Sequence, residues 1–320
     1  MARWHEGQRS RWGSLAVTAV AGLMLLGACG SSDDNSSGSA DKSSGGGKTV
    51  TVVASTDVWG DVVKQVAGDL AGSTVKITSI ITDPDADPHS YEANTQNQLA
   101  LSKADLVVEN GGGYDDFVDT MLKSAKNDDV TLLNAVDISG HKAPAGGELN
   151  EHVWYDFPTV EKIADQVSDA LSKVDPDDAD TYAANAKTFN GKVDALEQVE
   201  AAVKKAHAGE GAAITEPVPL YLLEACGLVD KTPEDFSEAI EEGTDVSAGV
   251  LKQTLDLFSK HQVKVLAYNE QTSGPETEKV LKAAKAANVA VVPVTETLPE
   301  GKDYLTWMQD NVTGIQSALG

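Results

Sequence analysis

Arginine is nearly missing from this chain. Its three arginines stand at positions 3, 9 and 11, and none follows. Arg is the usual residue for gripping a carboxylate or phosphate through two parallel hydrogen bonds. Its absence argues against a receptor for amino acids, phosphate or phosphorylated sugars, although Lys or backbone amides could substitute. Cysteine is limited to Cys29 and Cys226, so there is no disulfide framework. Aromatic residues make up 5% of the chain, too few for an obvious aromatic-walled organic pocket. There is no Cys-x-x-Cys pair, no His-Glu-x-x-His and no Walker loop, so neither a short-range zinc signature nor ATP hydrolysis is written here. Positive charge is scarce. Of 25 Lys plus Arg and 50 Asp plus Glu, the three Arg and Glu6 precede Ala28, leaving 22 Lys against 49 acids and a net charge of −27. Such a surface repels nucleic acid and anionic lipid and attracts cations without selectivity.

The apolar run Leu15 to Leu26, broken by Thr18 and Gly22, falls short of the ~20 residues of a spanning helix. Its basic flank and small-residue exit read as a secretory signal over 1–28. Leu26-Gly27-Ala28-Cys29 resembles the bacterial lipobox, which implies lipidation of Cys29 and attachment to the bilayer outside the cytoplasm. The other reading is an ordinary cleavage near Ala28 with Cys29 incidental. Residues 29–47 are almost entirely Gly, Ser, Asp, Asn and Ala, with no apolar surface to bury, and read as a flexible tether.

The rest alternates. β-branched runs at Thr49–Ala54, Val75–Ile81, Asp105–Glu109 and Val130–Leu133 are separated by helical spacings, so 48–174 reads as an α/β lobe with a parallel sheet. Pro158–Val174 is helical. From Pro176 to about Ala208, Tyr182, Phe189, Val193, Leu196 and Val203 recur at helical spacing, which predicts a long linking helix over 175–208. The alternation returns in 209–320, a second α/β lobe with similar wiring. Two such lobes bind ligands in the crevice at the carboxyl ends of their strands. Cys226, within Leu222–Leu228, reads as a buried small hydrophobe.

Six histidines occur. His207 and His261 lie among lysines on expected helices and read as surface. His141, in a Gly/Pro loop, is a candidate auxiliary contact. His89 and His152 differ. His89 lies in Asp83-Pro84-Asp85-Ala86-Asp87-Pro88-His89-Ser90-Tyr91-Glu92, where two prolines stiffen the loop. His152 lies in Asn150-Glu151-His152-Val153-Trp154-Tyr155-Asp156. The Asp83, Asp85, Asp87 triplet is like the start of a calcium loop, but Pro88 stands where that loop needs Gly and Asn94 where it needs Glu.

Asp87-Pro88-His89-Ser90-Tyr91-Glu92 and Glu151-His152-Val153-Trp154-Tyr155-Asp156 resemble the two histidine motifs of the zinc- and manganese-binding receptors of bacterial ABC-type importers, over about Val50 to Leu319. The resemblance implies two (β/α) lobes joined by one long rigid helix, with the metal between them. It implies His89 and His152 as ligands from the first lobe and Glu216, after Ile214-Thr215, from the second. The fourth ligand is expected at Glu296, with Glu270 of Ala267-Tyr268-Asn269-Glu270-Gln271 as the fallback. Pro217 and Pro219 depart from the common family pattern at the third ligand. Two imidazoles and two carboxylates would neutralise a divalent ion and suit Zn, Mn or Fe(II), and neither Zn nor Mn is preferred. The partners implied are a membrane permease with its ATPase, and a monomeric receptor is expected. A surface metal-buffering or adhesion lipoprotein and an envelope metal-dependent hydrolase are the alternatives.

Overall fold

The computed structural model describes residues 48–320 apart from positions 85, 87, 89, 90, 92, 93 and 146. Two four-stranded parallel sheets form the frame. The first comprises β1 (Val50–Thr56), β2 (Val75–Ile81), β3 (Leu106–Glu109) and β4 (Thr131–Asn134), in the order β2-β1-β3-β4. The second comprises β5 (Gly211–Ile214), β6 (Val229–Asp230), β7 (Val265–Asn269) and β8 (Ala290–Val294), in the order β6-β5-β7-β8. The wiring is the same in both. β3, β5 and β7 are buried at every residue, as expected of strands covered on both faces.

Helices α1 (Asp57–Ala67), α2 (Thr95–Leu101), α3 (Phe117–Ala125), α4 (Ala135–Ser139) and α5 (Phe157–Val174) serve the first sheet. Helices α7 (Leu220–Ala225), α8 (Glu234–Glu241), α9 (Ala248–Ser259), α10 (Pro275–Ala286) and α11 (Tyr304–Leu319) serve the second. Between them runs α6 (Ala179–His207), 29 residues and therefore ~44 Å long. Its buried residues Tyr182, Ala186, Phe189, Val193, Leu196, Glu200 and Val203 step by three and four along one stripe. That stripe packs on α1, α5, α7 and α11. The inner faces of both sheets and α6 thus share one continuous core, from Val50 and Trp59 through Phe189 to Val265 and Ile315. Smaller cores cover the outer faces: Leu101, Val107 and Met121 on the first sheet, Phe236, Phe258 and Leu266 on the second.

The expected strands recur within about two residues, and three differences from the sequence reading are physical. The long helix does not begin at Pro176: a single 3-10 turn, Pro176–Asp178, precedes α6. β6 has two residues, too few to carry a period. α4 and α8 were not anticipated. Asn94, weighed against a calcium ligand, caps α2 by accepting from the N–H groups of Gln96 and Asn97 at 2.9 and 3.0 Å. Among the described residues no helix is long and apolar enough to cross a membrane. Cys29 and the segment 1–47 lie outside the described residues.

Candidate metal centre

The loops that follow β3, β4, β5 and β8 meet at the carboxyl ends of the strands, around a cavity of about 1150 Å³. Each loop is built to hold a side chain. After β3, Gly111 and Gly112 take positive φ values of 78° and 72°. The Asp115 carboxylate accepts from the Asn110 and Gly111 N–H groups at 2.6 and 2.8 Å. A Cβ at Gly111 would come within 2.2 Å of the Asn134 amide, so only Gly fits. The turn so fixed lets Asn110 Nδ2 donate to the Glu151 carbonyl at 2.9 Å, which anchors the segment carrying His152.

His152 is fully buried. Its tautomer follows from its neighbour. Asn150 Nδ2 donates to the Pro217 carbonyl at 3.2 Å, so the amide oxygen faces the other way. That oxygen accepts from the His152 N–H at 3.1 Å and meets His152 Nδ1 at 2.7 Å. An amide oxygen only accepts, so Nδ1 carries the hydrogen and, in the neutral ring, Nε2 carries the lone pair. Nε2 points to Glu241 Oε1 at 3.4 Å. The ring edges of Trp154 and Tyr114, both buried, lie 5.1 and 6.1 Å away between centroids. They exclude water from one side of the imidazole.

From the second half come the acids. Glu216, two residues beyond β5, is 3% exposed, and Glu296, two residues beyond β8, is 8% exposed. Both line the cavity. Glu296 is held from two sides: Asn269 Nδ2 donates to its Oε1 at 3.0 Å, and Gln271 Oε1 accepts from its backbone N–H. Glu270 stands between these two residues, exposed, and is not among the cavity's lining residues. The stretch Asn269-Glu270-Gln271 therefore reaches the cavity through Gln271, with Asn269 holding Glu296 and the fallback acid exposed. His141 lines the cavity rim, its Nε2 3.0 Å from Asp156 Oδ2 and its ring stacked on Tyr221 at 4.6 Å. His89 lies outside the described residues.

Two carboxylates were missed. One ligating atom each from Glu151, His152 and Glu241 lie within 4.8 Å of one another. Glu151 adjoins His152 in sequence. Glu241 ends α8, and its signal was the helix itself: Pro233, an acidic first turn at Glu234 and Asp235, Phe236 and Ile240 four apart, then Gly243. The electrostatics match this crowding. Burial first, then Glu151, Glu296, Glu216 and Glu238, push the Glu241 carboxyl up to about 9. Burial and Glu148 push Glu151 up to about 7. Burial likewise raises Tyr114 and Tyr155, with Glu296 adding repulsion to each. An imidazole facing several clustered carboxyl groups, deprotonated when a dication displaces their protons, is an oxygen-rich donor set for that ion.

Two parallel α/β lobes bridged by one long helix, with an imidazole and acids gathered in the cleft between them, define a cleft-binding solute receptor. The family model of the periplasmic component A of the zinc-uptake complex, ZnuA, matches residues 52–318, and the chain belongs to that family. The manganese ABC transporter substrate-binding lipoprotein scaA of Streptococcus gordonii is 24% identical over 329 residues, covering 98% of this chain and 99% of that protein. The manganese-binding lipoprotein MntA of Halalkalibacterium halodurans is 26% identical over 185 residues, and the chain spans 58% of its own length and 57% of that relative's. Among solved structures, a crystal structure of ZnuA superposes with a TM-score of 0.68 at 21% identity, covering 85% of this chain and 98% of that one. A mutant laminin-binding adhesin (Lmb) of Streptococcus agalactiae gives 0.70 at 21% identity, covering 85% and 100%. Both likenesses speak to the fold. A component of an uptake complex binds cargo rather than transforming it, which sets the hydrolase alternative aside.

Proposed function

We propose that this chain is an extracytoplasmic receptor that captures Zn or Mn and hands it to an ABC-type importer. The observation that carries the reading is His152. It is buried, its Nδ1 is committed to Asn150, and its Nε2 faces a cleft lined by carboxylates from the other half of the molecule. Support for the importer role comes from the family and from relatives whose names are those of manganese-binding lipoproteins. In this reading His89, His152, Glu216 and Glu296 bind the ion. Residues 1–28 are a leader, and Cys29 is acylated and moors the chain to the membrane through the tether 29–47. The lobes 48–174 and 209–320 flank the linker 175–208, most of which is α6, and the loaded monomer meets a permease and its ATPase.

The cycle needs no covalent step. A dication exchanges its waters for imidazole nitrogen and carboxylate oxygens, and two carboxylates cancel its charge within the cavity. The test is elemental analysis of protein purified from its native envelope, followed by Zn/Mn competition on the wild type, His152→Ala and Glu216→Gln. Near-stoichiometric Zn or Mn in the wild type, lost with His152→Ala, is expected. Wild-type protein that binds neither ion would overturn the reading.

A further inference from the structure

We propose that Glu241, the last residue of α8, is a further metal ligand, and that it biases this cleft toward a hard dication of high coordination number. The inference rests on the metal-receptor reading and concerns a residue outside the four-ligand set given above. Three observations carry it. Glu241 Oε1 lies 3.4 Å from His152 Nε2. The Asn150 contact puts the hydrogen on Nδ1, so in the neutral ring Nε2 and the carboxylate are both acceptors. In the metal-free protein a proton bridges such a pair, and a dication that displaces it meets a nitrogen and an oxygen donor converging with Glu151, one ligating atom of each within 4.8 Å of the others. The side chain is also 84% buried, its own exposure being 16%. The charged groups around it are Glu151, Glu216, Glu238 and Glu296, all acids.

Helix α8 is placed to present this carboxylate firmly. Phe236 is fully buried in the outer core of the second sheet, and Ser237 is 5% exposed. The chain turns away at once after Glu241, with Gly243 at a φ of 63°. Adding Glu241 to His152, Glu216 and Glu296 brings a third carboxylate to the ion. Extra hard oxygen donors serve Mn, which accepts up to six ligands, better than Zn, which settles for four. Removing Glu241 should therefore cost Mn more than Zn.

The experiment is calorimetric titration of MnCl2 and ZnCl2 into the full chain as wild type, Glu241→Gln and Glu241→Ala, with Asp235→Asn as a control. Asp235 is exposed, lies on the same helix and removes the same charge without lining the cavity. Glu241→Gln should weaken Mn binding about 10- to 100-fold and Zn binding distinctly less, while Asp235→Asn changes neither. X-ray absorption on the Mn-loaded proteins should lose one oxygen neighbour in Glu241→Ala, a readout that a purely structural role would not move. Wild-type affinity for both ions in Glu241→Gln and Glu241→Ala would overturn the proposal while leaving the receptor reading intact. A wild type that binds neither ion would overturn both.

Discussion

At the scale of the residue, the site depends on what Asn150 does to His152. The amide ties the second half of the molecule, through Pro217, to the imidazole of the first, and fixes which nitrogen is basic. Asn150→Ala should leave the fold intact but release the ring, and groups that orient a metal-bound His commonly cost 10- to 100-fold in affinity when removed. Calorimetric titration of zinc into the variant checks this, and Asn150→Asp, which keeps an acceptor, should retain most of the binding. A second residue lies away from the cleft. Glu200 is 5% exposed in the core stripe of α6, and its Oε1 finds no hydrogen bond among the described residues. Burial, then Glu197 and Asp156, push its carboxyl up to about 8. Because the folded value lies above the unfolded one, the group costs nothing below about pH 4.5, and stability is lost progressively as pH rises from there to about 8. Glu200→Gln should melt like the wild type near pH 4 and be more stable at pH 9, by up to about 5 kcal/mol. Thermal denaturation at the two values reads the difference. His152, Glu216 and Glu296 could be singled out in the sequence because each lies in a segment that the family resemblance marks, and their joint ligation of an ion is the proposal. Asn150 could not be, since the role of an amide beside a histidine depends on which way it is turned, and that is set by Pro217, 67 residues away.

At the scale of the element, α6 was legible and α8 was not, and the contrast has a cause. Over 29 residues α6 repeats its apolar stripe often enough to outweigh Gly191 at its centre. α8 has eight residues, with only Phe236 and Ser237 buried. Two buried positions cannot establish a period, so Glu241 was passed over as one acid among many in Glu234–Glu242. The same logic hid β6, while the long strands were plain from their β-branched runs. Gly191 offers a direct test of the linking helix. It is exposed, and a Cβ there would meet nothing within 4 Å. Gly191→Ala removes backbone freedom from the unfolded chain without a clash, so it should stabilise the protein by roughly 0.5–1 kcal/mol. Denaturant unfolding should show a higher midpoint with the same slope, and zinc affinity should be unchanged.

At the scale of the whole molecule, the two halves are stitched together rather than hinged. Tyr155 Oη donates to the Thr295 carbonyl at 2.8 Å, and Tyr304 Oη to the Trp154 carbonyl at 2.7 Å. Asp61 accepts from the Tyr304 N–H at 2.9 Å, and Tyr221 Oη donates to the Asn150 carbonyl at 2.7 Å. Behind these bonds the core of α6 runs unbroken from one sheet to the other. Receptors that close on their cargo by hinge rotation rely on a few loop residues to absorb the change. Here a rigid helix and a shared core stand where such loops would be, so adjustment is confined to surface loops. Metal loading should therefore leave the radius of gyration unchanged in small-angle scattering. It should still stabilise the fold, by about 2.7 kcal/mol at a free metal concentration 100 times Kd, or roughly 5–10 °C in Tm. The double variant Tyr155→Phe, Tyr304→Phe removes two of the cross-lobe bonds, each worth about 1 kcal/mol. It should lower Tm by about the same amount with and without the metal, because the ion's contribution depends on its concentration relative to Kd. A wild type that contracts measurably on binding zinc would show that the stitching yields, and that the cleft closes by movement of the lobes.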